Sequence, residues 1–493
     1  MSTSRKNYDV VIIGAGVVGC AIARELSRYH IDIAVLEKEA DVGWGISCRN
    51  SGVVHAGFNY EPGTLRAQLC VEGNKTFNEL CLELDVPYKK IGKFVVAFKK
   101  EEITELKRLK KQGEENGVED LQIVGTDELK RMEPNIQGLA ALHSHNTAIT
   151  SPYGLTIALA ENALKNGTAF FLNTEVTAIK KNNSVFRITT PKKTFTSAYV
   201  INSAGLFSDR ISRMAGAEKY RIYPCRGEYF ILDKNTSKLV NHLVYPVPKA
   251  GYGGLGVHIT PTVDGNILLG PSNEYIKNKG NLSSTSKVMK MLVSESRDFL
   301  PLVSNRDIIR SYSGIRSKQA PSSEGGFWDF TIGESRMVEN FINLIGIESP
   351  GLTAAQTIAQ KVVKIINKKE KLKISSKFNP FRKGILRFEA QSEDVKKSLI
   401  KEDPDYGEII CRCEKVTKKE ILEAIHNPLG ARDLISIKYR SRAMMGRCQG
   451  GYCLTRIIEL LKEKFHLDPR DITLKGNHSS LLTGYRSNEV KIS

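Results

Sequence analysis

Along the first forty positions, apolar residues run together and do not alternate. Residues 8–13, with Val10, Val11, Ile12 and Ile13, predict a strand buried on both faces. A glycine-rich turn and a helical stretch follow, and "IDIAVLE" then predicts a second strand ending at Glu37. "KFVVAF", "EYFIL" and "NILLG" predict further strands. "TELKRLKKQGEENG" predicts a charged surface helix stopped by glycine. Near the C-terminus the strand "EIIC" precedes Thr417 and Glu420, which are spaced as a helix capping box. The apolar run 10–23 is too short and too glycine-punctuated to span a bilayer, and no other stretch approaches that length. The pattern is that of an α/β protein with more than one domain.

The glycines carry chemistry. Gly14, Gly16 and Gly19 stand in G-x-G-x-x-G spacing between a strand and a helix. The first permits the tight turn, the second lets a pyrophosphate approach the backbone, and the third lets the helix pack against the strand. Glu37 lies 23 residues beyond Gly14, where a carboxylate accepts hydrogen bonds from ribose hydroxyls. A glycine-rich turn that only packs a helix on a sheet would not require Glu37. The whole context therefore predicts a dinucleotide site, with the helix N-terminus facing the phosphates.

Composition adds little. The chain has 493 residues, 41% hydrophobic and 26% charged, which is ordinary for a globular protein. Its formal charge of +18 comes from scattered lysines, so we read no nucleic-acid partner into it. The one dense block is 361–384, with nine Lys/Arg against Glu370 alone. It reads as a solvated helix end and linker, although an anionic membrane surface or an acidic electron-transfer partner would also suit it. Nine cysteines without an export signal predict a reducing, cytoplasmic setting and no disulfides.

Four of those cysteines crowd the last fifth of the chain: Cys411 and Cys413 in "CRCEK", then Cys448 and Cys453 in "GRCQGGYC". The spacing is C-x-C, 34 residues, C-x4-C. Structural zinc favours wider pairs, so C-x-C fits it poorly. Four thiolates in glycine-rich loops suit an iron–sulfur cluster, with zinc or a vestigial site as the alternatives. Cys20, Cys48, Cys70, Cys81 and Cys225 show no ligand spacing and read as buried thiols.

Three later stretches point to a bound flavin: "GISCRNSGVVHAGFNY" with Arg49, Asn50, Ser51 and His55; "YVINSAGLFSDRIS" with Gly205; and "NLIGIESPGLTAAQTIAQKVV" with Gly351 and Leu352. On these residues the chain resembles the D-amino-acid-oxidase-like FAD-dependent dehydrogenases and oxidases, over about residues 7–370. "NSGVVHAGFNYEPGTLRAQLCVEGN", "RGEYF", "YPVP", "GVHITPTVDGNILLGP" and "SGIRSK" look most like L-2-hydroxyglutarate dehydrogenases. Residues 405–468 resemble the [2Fe–2S] domain of bacterioferritin-associated ferredoxin, also found at the C-terminus of anaerobic glycerol-3-phosphate dehydrogenases. Arg440, Arg442, Gly446, Cys448, Gln449, Gly450 and Cys453 match it, whereas Arg447 stands where that family often has proline.

The resemblance implies a Rossmann-like FAD-binding domain (about 1–90, 146–219 and 326–370) interleaved with a mixed-sheet substrate domain (91–145 and 220–325). A linker (371–404), the cluster domain (405–468) and a tail (469–493) would follow. It implies FAD and a [2Fe–2S] cluster as cofactors, with FAD bound through Gly14, Gly16, Gly19, Glu37, Arg49, Asn50, Ser51, Gly205, Gly351 and Leu352. Oxidation of a small anionic hydroxy compound needs a base for the hydroxyl proton, and His55 is the first candidate and His258 the second. A loop histidine bonded only to backbone is the plain alternative for His55. Arginine suits the substrate's anionic group: Arg316 first, then Arg226, for which a structural salt bridge is an equal reading, with Tyr252 as a helper. The expected substrate is an L-2-hydroxy acid such as L-2-hydroxyglutarate, with glycerol 3-phosphate or an amine as alternatives. Hydride would pass to the flavin, and electrons would leave through the cluster to a quinone or a partner flavoprotein or iron–sulfur subunit. No transmembrane segment is expected, and peripheral contact at the inner face of the cell membrane remains compatible with this.

Overall fold

The computed structural model describes residues 7–248, 256–482 and 484. The chain divides into a large unit, which takes in 42–383 together with the N-terminal segment to Lys38, and a small unit containing 384–493.

The large unit is built on two sheets. In the eight-stranded one, Asn7–Ile13 lies between Ile33–Leu36 and Thr194–Asn202, parallel to both. Ala169–Phe171 and Phe341–Ile345 extend this parallel core on either side. Helices cover it, including Val17–Leu26, Pro152–Lys165 and Ala355–Glu370, which is why the runs Val10–Ile13 and Ile33–Leu36 at its centre are apolar and buried throughout. The second sheet has nine strands, drawn from 93–144 and 223–318. Its neighbours are antiparallel except Lys93–Ala97 against Leu243–Pro246, so the sheet is mixed. A small three-stranded sheet pairs Val53–Val54 and Tyr88–Lys89 with Ala148–Thr150, and His55 leaves its edge.

Gly314 ties the two halves together. A side chain there would bring its Cβ to 2.1 Å from the Arg49 carbonyl oxygen, so only glycine lets the strand Ile308–Lys318 pass so close to the 45–60 loop.

The small unit packs three helices, Lys418–Ile425, Leu434–Ser441 and Leu454–Phe465, around Ile421, Ile425, Leu434, Ile437, Ile457 and Leu461. The capping box at Thr417 and Glu420 forms.

Residues 371–404, expected as a linker, divide between the two units. Up to Lys383 they lie on the large unit: Arg28 sits 4.7 Å over the Phe378 ring, and Arg382 pairs with Glu161 at 2.7 Å. Beyond that, Glu393–Glu402 is a helix of the small unit. A lysine-rich composition hid these anchors, whose partners Arg28 and Glu161 lie far off in sequence. Residues 469–482, part of the expected tail, pack on the small unit. Ile472 is buried in the small unit's core, and Asp433 accepts a 2.9 Å hydrogen bond from the Thr473 hydroxyl.

Candidate active site and cysteine loops

The first glycine turn is built as its spacing predicts. Gly14 has φ +102°, and a Cβ on it would meet the Ser203 carbonyl oxygen at 2.7 Å. A Cβ on Gly19 would lie 2.0 Å from the Gly14 carbonyl oxygen, so strand and helix touch backbone to backbone. Gly16 is the N-cap of Val17–Leu26, and the Ser47 hydroxyl accepts the Val17 N–H at 2.8 Å. Glu37 stands half-buried at the end of its strand and accepts the Ala15 N–H at 2.7 Å. The Ser203 hydroxyl donates to the Gly14 carbonyl at 2.9 Å, so the Ser203–Gly205 turn closes over the same cradle. These bare backbones and the acidic strand end fit an FAD pyrophosphate and ribose.

In the 45–60 loop, Asn50 caps its own turn by donating to the Ser47 carbonyl and accepting from the Gly52 N–H. Arg49 donates to the Ser313 carbonyl at 3.3 Å, and Ser51 is hydrogen-bonded to Tyr229. Gly351 lies in the turn leading into helix Ala355–Glu370. A Cβ there would meet the Glu348 carbonyl oxygen at 2.7 Å, and Leu352 follows in the same turn.

His55 meets that turn from the other side. Its N–H donates to Thr353 Oγ1 at 3.0 Å and its Nε2 lies 3.2 Å from Ser349 Oγ, which is 3.3 Å from the Tyr60 hydroxyl. Its Nδ1 is shielded from solvent and has no hydrogen-bond partner. With Nε2–H donating to Ser349, Nδ1 keeps the lone pair that a general base uses. Burial, then the nearby Lys93 and His258, hold this imidazole well below its ordinary pKa, so it stands neutral.

His258 opens its strand and stacks on Tyr245, with centroids 3.8 Å apart. Burial drives its pKa down to about 3, although its Nδ1 contacts the Gly256 carbonyl at 2.9 Å. Arg316 is within 3.4 Å of the Ser272 carbonyl and Asn273 Oδ1 and 3.8 Å from Cys225 Sγ. It has no bidentate carboxylate partner among these contacts. Room for it is left by Gly227, whose Cβ would sit 2.9 Å from the guanidinium. Arg226 is spent elsewhere: it pairs with Glu274 at 2.6 Å and Glu228 at 3.1 Å. The pairing register explains the difference. Cys225 stands opposite Arg316 and Arg226 opposite Ile315, so strand alternation sends the two arginines to opposite faces. Tyr252 lies outside the described residues.

Sequence reasoning missed Lys93 and Glu348. Lys93 is 1% exposed, at the head of an otherwise apolar strand. That position was the only available signal. Glu348 is buried between Arg66, at 3.2 Å, and Lys318, at 3.5 Å.

In the small unit, Cys413 and Cys448 are exposed with sulfurs 3.3 Å apart, while Cys411 and Cys453 are buried and hydrogen-bonded to each other. Backbone N–H groups aim at the sulfurs: those of Glu414 and Met444 at Cys411, and those of Gly450 and Tyr452 at Cys448. A Cβ on Gly446 would fall 2.3 Å from that of Cys413, so this glycine lets the two cysteine loops meet. Two thiol pairs with N–H donors aimed at their sulfurs suit the ligands of an iron–sulfur cluster. All nine cysteines are free.

Comparison with known proteins agrees with this geometry. The family of FAD dependent oxidoreductases (DAO) matches residues 9–365, and the BFD-like [2Fe-2S] binding domain matches 409–463. A glycerol 3-phosphate dehydrogenase of Caloramator mitchellensis is 42% identical over 487 residues, covering 98% of this chain and all of the relative. The mitochondrial L-2-hydroxyglutarate dehydrogenase of Nematostella vectensis is 32% identical, over 72% of this chain and 90% of its own. Among solved structures, the dithionite-reduced, FAD-bound L-alpha-glycerophosphate oxidase of Mycoplasma pneumoniae superposes with TM-score 0.72 at 30% identity, covering 76% of this chain and 98% of that one. No helix among the described residues is long and apolar enough to cross a membrane. The chain is an FAD-dependent oxidoreductase of the DAO family, and it carries a C-terminal BFD-like [2Fe–2S] domain.

Proposed function

We propose that the protein is a dehydrogenase of glycerol 3-phosphate, converting its secondary alcohol to the ketone and passing two electrons onward through the [2Fe–2S] domain. The observation that carries the substrate is the full-length likeness to a glycerol 3-phosphate dehydrogenase, which spans both units. The relatives named L-2-hydroxyglutarate dehydrogenase cover 72–75% of the chain. An L-2-hydroxy acid remains the second reading, favoured by the loop around His55 and by the strands carrying His258 and Arg316.

In this reading His55 takes the hydroxyl proton at Nδ1, while Ser349 and Tyr60 fix the ring through Nε2. Arg316 binds the anionic group. FAD, when bound, accepts the hydride from the carbinol carbon. A neutral imidazole of depressed pKa is a weak base on its own, and a dianionic substrate nearby raises its basicity. Cys411, Cys413, Cys448 and Cys453 would hold the cluster, which would supply one-electron chemistry toward a downstream acceptor, a quinone or a partner flavoprotein or iron–sulfur subunit.

Anaerobic mixing of the oxidised protein with glycerol 3-phosphate, L-2-hydroxyglutarate or sarcosine tests the reading. Bleaching of the flavin band by glycerol 3-phosphate is expected; bleaching by L-2-hydroxyglutarate alone would install the second reading, and none by any of the three would defeat both. The His55→Ala variant should keep FAD and lose about two to four orders of magnitude in flavin reduction rate. Cys413→Ser should abolish the iron–sulfur absorbance while leaving flavin reduction by substrate intact.

A further inference from the structure

Lys93 is a lysine in a place where lysines are rarely tolerated. It opens the strand Lys93–Ala97, its side chain is almost wholly buried, and the rings of Phe58 and Tyr245 flank its ammonium. Its Nζ lies 4.2 Å from the Phe58 ring centroid and 4.7 Å from that of Tyr245. Among the described residues it has neither a carboxylate nor a hydrogen-bond acceptor. Two aromatic faces attract an ammonium, but they do not replace its hydration.

The position is equally specific. Tyr245 carries Lys93 Nζ and stacks on the His258 ring, and Phe58 is three residues beyond His55. Lys93 thus stands on the substrate side of the molecule, beside both candidate histidines and within their electrostatic reach. A buried cation that lacks an internal counter-ion is stabilised when an anion arrives.

We propose that Lys93 binds an anionic group of the substrate, a carboxylate or a phosphate, beside His55 and His258. This deepens the dehydrogenase reading and rests on it. Burial lowers the lysine's own pKa to about 7, so near neutral pH an approaching anion would draw a proton onto it. The same anion would offset the repulsion that Lys93 exerts on His55, coupling substrate binding to the basicity of the imidazole.

The test uses the full-length FAD-loaded protein, its Lys93→Met variant and, as a second neutral replacement, Lys93→Gln. Inorganic phosphate and glutarate, neither of which can be oxidised here, are titrated in and followed through the flavin absorbance and the thermal midpoint. The wild type should bind one probe, and both variants should bind it about thirtyfold or more weakly. The probe-induced rise in midpoint should vanish with it. The midpoint of the ligand-free Lys93→Met protein should not fall. Wild-type affinity should decline as pH rises above about 7, a limb absent from the variants. The titratable groups around Lys93 that must be followed alongside are His55, Cys70, Tyr245 and His258. Which probe binds separates phosphate from carboxylate. Unchanged affinity in the variants, or failure of the wild type to bind either probe, overturns the proposal. Lys93-dependent probe binding without flavin bleaching by any hydroxy compound would overturn the dehydrogenase reading and leave this one standing.

Discussion

Two fully buried lysines in the large unit make opposite uses of their charge. Lys318, 1% exposed, lies 3.5 Å from Glu348, donates to the Gly326 carbonyl at 3.0 Å and sits over the Phe327 ring. Arg66 completes this cluster from the other side of Glu348 and lies over Phe327 and Phe330. Lys93 is as deeply buried, and among the described residues its ammonium meets the Phe58 and Tyr245 rings but no carboxylate. A buried cation with its own carboxylate holds chain segments in place, and one without is costly to the folded state unless something from outside supplies the anion. The first arrangement anchors the turn that carries Ser349, and hence His55. The second leaves a charge beside that histidine for a ligand.

Removing the shared carboxylate should break the first region hardest. Glu348→Gln leaves Arg66 and Lys318 buried against one neutral amide, and a loss of about 3–5 kcal/mol is expected in chemical denaturation. Lys318→Met keeps the Arg66–Glu348 pair and should cost about 1–3 kcal/mol. The Lys93→Met change should be neutral or stabilising in the ligand-free protein, and a loss comparable to that of Lys318→Met would erase the distinction between the two sites.

Titration sharpens the contrast without a new contact. Unfolded Lys93 keeps its proton up to its ordinary value near 10.5, whereas in the folded protein it releases it at about 7. The unfolded chain therefore binds more protons across that window, and stability should rise with pH through it. The difference between wild type and Lys93→Met, measured between pH 7 and pH 9.5, should carry this slope and amount to a few kcal/mol, on the order of 1.4 per pH unit. A flat difference would mean that Lys93 titrates normally. The smallest expected effect serves as a control in the other unit: Thr417→Ala removes the capping box and should cost about 1 kcal/mol there.

The glycine turn at 14–19, the acidic strand end at Glu37 and the cysteine spacing near the C-terminus were all legible, because each is a local pattern. A turn of positive φ, a helix packed on a strand and a thiol pair at fixed offset are specified by neighbours in the chain. The strands at 93, 228 and 266 were legible for the same reason. The contacts within 371–404 were not legible, because Phe378 and Arg382 hold their segment through partners at Arg28 and Glu161, far off in sequence. Arg316 ranked above Arg226 in their motifs, but only the pairing of their two strands assigns them to opposite faces.

The sequence by itself determined a close glycine turn of the dinucleotide-binding type near its N-terminus and two spaced thiol pairs near its C-terminus. Close backbone approach and thiol spacing are short-range demands that few residue types meet. Tertiary structure decided which charges are satisfied from within. His55, Lys93, Glu348 and Lys318 come from distant segments, and a residue's letter does not reveal whether folding brings it a counter-ion. Burial raises the cost of every unpaired charge, so that choice separates an anchoring ion pair from a lysine that requires an anion from outside.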